Sequence, residues 1–381
     1  MTKITVIGDI VCDKKMLKKA KNGNSYNFDE MLSPLKDYFK SSDLVVANLD
    51  TTIGNDNYTK STFSFCTPSS FLDSLKNIGI SCISLANNHV LDRGYEGIDT
   101  TINELNKRDI KYFGIETKNY DGIANYDFND IKLSVLGYTD ATNYHMNKVK
   151  IDNTKYKINI LRDTNFFIHR DINNFFDKCY FKLSSDTRLK IEKIFNKKLT
   201  PIIDNNVSFE EKYLNDIKNK VSKLKEDNRY VIMYPHIGGQ YNIFPGKNTK
   251  KLIEFFKDIK CDEVIITHPH IIQNMNYEEN IYSIGGLIIS PTSDFVIWDT
   301  LPQYSLVLNY YFNNNKLENI TCSFLICVKD KDTYLKVYPF YDFYNKLNES
   351  DKEKYKKQFD IVFNRVFNYT DIIKEEYKMR V

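Results

Sequence analysis

The chain has 381 residues, 42% of them hydrophobic and 27% charged, with a formal net charge of +3. It is long enough to bury a sizeable core as one large domain or two ordinary ones, and its near-balanced charge, spread along the chain, forms no basic face and argues against a nucleic-acid partner. Seven scattered cysteines without a CxxC spacing exclude a zinc knuckle or a disulfide framework, so reduced, buried thiols in a reducing compartment are expected.

The N-terminal "MTKITVIGDI" enters a strand directly, with no basic segment leading into a long apolar one, so no leader is expected. No run approaches the ~20 apolar residues of a membrane span, and the expected location is cytoplasmic, at most peripheral to a membrane. Apolar, β-branched runs at 4–8, 42–50, 80–89 and 132–140 read as buried strands. The first three deliver Asp9, then Asn48 and Asp50, then Asn88 and His89 at their C-terminal ends. Between them, 68–79 reads as a helix capped by Ser69 or Ser70 and ended by Gly79, and "GYEGIDTTINELNKRDI" reads as a second helix. This alternation predicts a βα-layered sheet with buried strands.

From about 143 to 228 the chain turns rich in Asn, Lys and aromatics and reads as an inserted subdomain, closing with an amphipathic helix over 208–228. The strand and helix theme then resumes. "RYVIMYPH" delivers His236, a helix follows, and "EVIITHPHIIQ" delivers His268 and His270. "IYSIGGLIIS" is a further strand. Residues 303–340 read as two or three antiparallel strands turning at 313–315 and 329–331. About 349–380 is a charged amphipathic helix. The expected organisation is one domain over 1–345 with a helical extension over 346–381.

Five apolar strands thus end in carboxylate, carboxamide or imidazole, and four of the six histidines lie at those ends. Singly, each residue is as well read as a helix cap or a turn residue. Together, at the carboxyl ends of strands where α/β sheets bind ligands, they suit a divalent ion such as Mn²⁺, Fe²⁺ or Zn²⁺.

The ordered set "GDI" (8–10), "NLD" (48–50), "ANNHVLDRGYEGIDTT" (86–101), "HIGGQY" (236–241), "THPHIIQ" (267–273) and "YSIGG" (282–286) resembles bacterial capsule synthesis proteins of the CapA type. These are poly-γ-glutamate biosynthesis proteins related to calcineurin-like metallophosphoesterases. The resemblance covers about 1–140 and 230–340. It implies a four-layer α/β/β/α metallophosphoesterase-like sandwich with the inserted subdomain. It also implies one ion on Asp50, Asn88, His236 and His268, and a second on Asp9, Asp50 and His270, with Asp50 bridging. His89 would be the outer proton donor and Asp92 the carboxylate that orients it. Val11 stands where dinuclear phosphoesterases carry a histidine, Asp50 replaces a glutamate, and Gln240 and Gly286 replace an expected glutamate and asparagine. The implied function is a metal-dependent hydrolase or group-transfer enzyme acting on a capsule or other anionic polymer. The alternatives are a non-catalytic scaffold of a polymer-synthesis complex and a capsule-modifying transferase whose segment 143–228 binds the acceptor.

Overall fold

The computed structural model describes residues 1–55, 58–59, 64–164, 187, 209–275, 280–288, 296–329 and 335–379, the side chains of His145 and Trp298 excepted. Residues 165–186 and 188–208 of the expected inserted segment, and the turn expected at 329–331 beyond Lys329, lie outside these residues. The main elements in chain order begin with β1 (Thr2–Ile10), α1 (Lys14–Ala20), β2 (Leu44–Leu49), α2 (Ser70–Asn77), β3 (Cys82–Ser84), α3 (Gly94–Lys107) and β4 (Lys111–Phe113). There follow β5 (Ile123–Phe128), β6 (Ile131–Thr139), α4 (Glu211–Glu226), β7 (Tyr230–His236), α5 (Lys247–Asp258), β8 (Glu263–Ile266), β9 (Ile281–Ser283) and β10 (Gly286–Ile288). The chain closes with β11 (Tyr304–Asn313), β12 (Lys316–Val328), β13 (Lys336–Pro339), α6 (Glu349–Phe367) and β14 (Tyr377–Lys378).

All of β1 except Lys3 is buried, as a strand covered on both faces must be. It sits inside a sheet ordered β13-β12-β11-β1-β2-β3-β4, with β10 beside β1 and β14 beside β12. A second sheet runs β5-β6-β7-β8-β9. The strands β1 to β4 pair in parallel, as do β6 to β9. Each parallel set therefore presents its C-terminal ends along one edge.

The two-residue side-chain period sorts the core into layers. Ile4, Val6, Val46, Cys82 and Phe113 of the first sheet meet Leu133, Val135, Ile232, Tyr234 and Ile265 of the second. The alternate residues of the first sheet, among them Val45, Ala47 and Ile83, pack on Met16, Leu72, Leu75, Ile98 and Leu105 of α1, α2 and α3. The alternate residues of the second, Leu136, Val231, Met233, Val264 and Ile266, pack on Ile217 and Val221 of α4 and on Leu252, Ile253 and Phe256 of α5. Helix, sheet, sheet, helix is the four-layer α/β/β/α arrangement expected. Full burial of each such aliphatic or aromatic side chain contributes about 1.5–3 kcal/mol, so the layers hold one another in place.

Three local outcomes differ from expectation. Ser69 is the N-cap of α2 but accepts no capping hydrogen bond, because its backbone is already helical. Strand β3 is only three residues long, and the rest of the 80–89 run bends into a turn. Helix α6 stops at Phe367, where Asn368 adopts φ 58°, and Tyr377–Lys378 returns to pair with β12. Its Phe359 stacks on Phe340 at 4.6 Å and meets Phe324 of β12 at 5.0 Å, so the helix seals the inner face of the sheet beyond the second sheet's edge.

The chain passes from the second sheet to the first between β9 and β10, at Ile284–Gly285. That crossing lies against the end of β1: the Asp9 amide donates to the Gly285 carbonyl at 3.3 Å. A Cβ on Gly8 would lie 1.8 Å from the same oxygen, so only glycine fits there.

Candidate metal centre

The C-terminal ends of β1, β2, β3, β7 and β8 meet at the seam between the sheets. Asp9 closes β1 where its pairing to β2 slips register, and Asp50 follows the last residue of β2. The turn after β3 presents Asn87, Asn88 and His89, and β7 ends on His236. After β8, Thr267–His270 turns sharply. His268 and His270 both take left-handed backbone, φ 93° and 58°, which costs about 1–2 kcal/mol per residue. The turn is held by the Asp9 carboxylate, which accepts from the His268 amide at 3.0 Å, and by the Pro269 carbonyl, which accepts from the Tyr241 amide at 2.9 Å.

The six residues Asp9, Asp50, Asn88, His236, His268 and His270 lie together in two overlapping groups. Around His236 Nε2 stand Asn88 Oδ1 at 2.8 Å, His268 Nδ1 at 2.9 Å and Asp50 Oδ1 at 3.6 Å. Ligand atoms around a four-coordinate ion with bonds of ~2.1 Å sit roughly 3.4 Å apart, so this spacing suits such an ion. The second group is Asp9, Asp50 and His270, whose ligand atoms all lie within 4.8 Å of one another. His270 Nδ1 comes within 3.0 Å of Asp9 Oδ2 but is out of alignment for a hydrogen bond, and among the described residues it has no other partner. Among the described residues, both oxygens of Asp50, in a fully buried side chain, also lack a hydrogen-bond partner. An ionised carboxylate left so is costly unless positive charge faces it, and Asp50 belongs to both groups.

The surrounding charges prepare the nitrogens differently. Burial pushes His268 well below its ordinary range, and the imidazoles of His236 and His270 push the same way, so it is neutral with a lone pair to offer. Burial also works against charge on His236, but Asp50 and Asp9 outweigh it and its pKa moves up. His236 Nδ1 faces Thr267 Oγ1 at 3.0 Å, Asn48 Nδ2 at 3.1 Å and Asp9 Oδ1 at 3.5 Å, partners that fix the ring and point Nε2 at the ligand group. Burial alone would raise Asp9, yet His236 and His270 hold its carboxyl well below the usual carboxylate range.

Beyond Asn88, His89 Nδ1 lies 2.6 Å from Asp92 Oδ2, and the same oxygen accepts from the Phe65 amide at 2.6 Å. Burial opposes charge on His89, but Asp92 overrides it and the pKa is pushed up to about 9. The Phe65 ring lies 4.5 Å from the His89 ring and confines it. Asn87 is more than a turn residue. Its Nδ2 donates to Asn48 Oδ1 at 3.1 Å and to the Leu49 carbonyl at 2.8 Å, and its Oδ1 accepts from the His89 amide at 3.0 Å, stapling the turn to β2.

Asn143 is a site residue that the sequence reading assigned to the edge of the insertion. Its Oδ1 accepts from Asn88 Nδ2 at 3.2 Å and its Nδ2 lies 3.4 Å from His89 Nδ1. The available signal is an asparagine four residues past a strand, in left-handed backbone with φ 51°. Gln240 Nε2 lies 3.4 Å from His270 Nε2, and the Tyr241 ring is 6.0 Å from that imidazole. Tyr138 belongs to the core under α4 and α5.

Comparison with known proteins follows this geometry. The capsule biosynthesis protein CapA of Bacillus anthracis is 21% identical over 326 residues, covering 82% of this chain and 64% of that protein, so the chain spans under two thirds of that relative's length. A dimetal phosphatase from Danio rerio aligns over 89% of this chain and 99% of its own, at 10% identity and a TM-score of 0.33, too distant to carry any argument. The family model for the bacterial capsule synthesis protein PGA_cap matches residues 3–291, which takes in all eight candidate residues from Asp9 to His270, and the chain belongs to that family.

Proposed function

We propose that the chain is a metal-dependent hydrolase or group-transfer enzyme of capsule or other anionic-polymer biosynthesis, poly-γ-glutamate being the family's own example. Asp50, Asn88, His236 and His268 would hold one divalent ion, and Asp9, Asp50 and His270 a second, with Asp50 shared. Carboxylate, carboxamide and imidazole together suit Mn²⁺, Fe²⁺ or Zn²⁺. The observation that carries this reading is Asp50: buried, with neither oxygen partnered, and common to both groups.

Such ions supply a water acidified for attack and positive charge to neutralise the group being transferred. The chain's own residues do the rest. His89, charged and turned by Asp92, would give a proton to the leaving group. Asn143 and Asn87 fix the turn that carries it. The His268 and His270 backbone, held against Asp9, keeps both imidazoles aimed at the same volume.

Metal analysis by inductively coupled plasma mass spectrometry, after purification from metal-supplemented medium, should find one or two divalent equivalents per chain. Asp50→Asn, which removes a ligand common to both groups, should empty the centre, and His236→Ala should lose the ion of the first group. A metal-free wild-type chain under those conditions sinks the proposal.

Val11 and Gln240 favour a second reading, a scaffold of a polymer-synthesis complex with a relict site, since Val11 stands where dinuclear phosphoesterases carry a histidine and Gln240 where the family tends to carry a glutamate. Folded His89→Ala and His236→Ala variants that leave capsule production unchanged would favour it. The free thiols of Cys12, Cys66, Cys82, Cys261, Cys322 and Cys327 support work in a reducing compartment. Among the described residues no helix is long and apolar enough to cross a membrane.

A further inference from the structure

Arg365, on α6, is 6% exposed and plays no part in the candidate centre. Its Nη1 donates to the carbonyls of Ile272 at 3.2 Å and Thr300 at 2.9 Å. Among the described residues its Nε and Nη2 donors have no partner, and no carboxylate pairs with it. A buried guanidinium without an anion is costly. Burial alone pulls its pKa down to about 10, so it is charged at neutral pH.

Arg365 lines a cavity of about 220 Å³ between β9, β11, α6 and β14, and none of the candidate metal ligands borders it. Gln273 also lines it. Its Nε2 donates to the Asn242 carbonyl at 2.8 Å, while its Oε1 is buried without a partner. Lys378, on the edge strand, adds a second positive charge, and Ile281, Leu306 and Phe367 supply apolar wall. A charged donor, the Gln273 side chain and an apolar wall thus line one partly open volume. A dry cavity of ~150 Å³ takes a benzene, so this one takes a body on the order of ten heavy atoms.

We infer that this cavity is a binding site for a small organic anion, with a carboxylate or phosphate head on Arg365 and an apolar body against the wall. A neutral guest would leave the guanidinium unpaired, and a bare inorganic anion would leave the apolar wall unfilled.

Benzoate, phenyl phosphate, inorganic phosphate and benzyl alcohol, each titrated into the full chain and followed by calorimetry and thermal shift, test this. Benzoate or phenyl phosphate should saturate, and whichever binds tighter identifies the head. Benzyl alcohol and inorganic phosphate should each bind at least about tenfold more weakly, one charge-assisted contact's worth. Arg365→Met should weaken the aryl anion by about tenfold or more with metal content unchanged. Should that variant fail to fold, Val366→Trp, which fills the cavity and leaves Arg365 in place, must abolish binding. The inference falls if neither aryl anion saturates, if benzyl alcohol or inorganic phosphate binds as tightly as they do, or if binding survives Arg365→Met or Val366→Trp.

Discussion

The Asn88 carboxamide has two ends, and Asn143 fixes which one faces His236. Because Nδ2 donates to Asn143 Oδ1 at 3.2 Å, Oδ1 turns to His236 Nε2 at 2.8 Å, as an oxygen ligand must. Asn143→Ala should therefore lower divalent-metal affinity about 10- to 100-fold by calorimetry, the usual loss when an outer partner of a ligand goes. Asn143→Asp keeps the accepting oxygen and should lose much less; equal losses would mean that Asn143 acts only by filling space. That Asp9, Asp50, Asn88, His236, His268 and His270 share a pocket is readable in the sequence, since each closes an apolar run. Asn143 is not readable in the same way. It stands in the polar run "TDATN", four residues beyond β6, and its importance depends on a left-handed backbone that puts it against a turn 55 residues earlier.

The GD pair at the end of β1 shows what an element's neighbours demand of it. Gly8 faces the Gly285 carbonyl where the chain crosses between sheets, so Gly8→Ala must move backbone, not a flexible side chain. The expected cost is about 3 kcal/mol or more, read as a fall in the urea midpoint at unchanged slope. Gly23→Ala gives the contrast: its φ of 59° is strained for alanine, but nothing lies within 4 Å of the added Cβ, and it should cost only about 1 kcal/mol. The amphipathic helices are legible because their apolar residues recur at helical spacing, as in Ile217, Val221 and Leu224 of α4. Where a helix ends is less so. The charged pattern after Phe367 continues helix-like, and what stops it is Asn368 together with a pairing to β12 that lies far off in sequence.

Which strand joins which sheet is the least legible feature, because a strand buried on both faces reads the same in either sheet. One residue reports on that division: Glu263, at the start of β8, is 1% exposed between the layers. It accepts from Tyr230 of the second sheet at 2.6 Å and from Tyr310 of the first at 3.4 Å. Burial, only partly offset by these hydroxyls, raises its pKa to about 8. In the unfolded chain it ionises near 4.3, so between about pH 4.5 and 8 the folded state binds the extra proton. Its stabilising contribution is full below that window and declines as pH rises through it, by up to about 1.4 kcal/mol per pH unit. Glu263→Gln should be more stable than the wild type at pH 8 and lose this slope in urea titrations; parallel slopes would show that Glu263 ionises freely. Strand β1 carries a consequence of another kind. Val6 pairs with Leu308 and Asp9 with Gly286, so this strand acquires its neighbours on one side only about three hundred residues later in the chain. At ~5–20 residues per second, ribosomal synthesis leaves that apolar edge bare for roughly 15–60 s. During that interval the nascent chain offers an open template for strand pairing, and its yield in a cell depends on what shields the edge until the last third of the chain emerges.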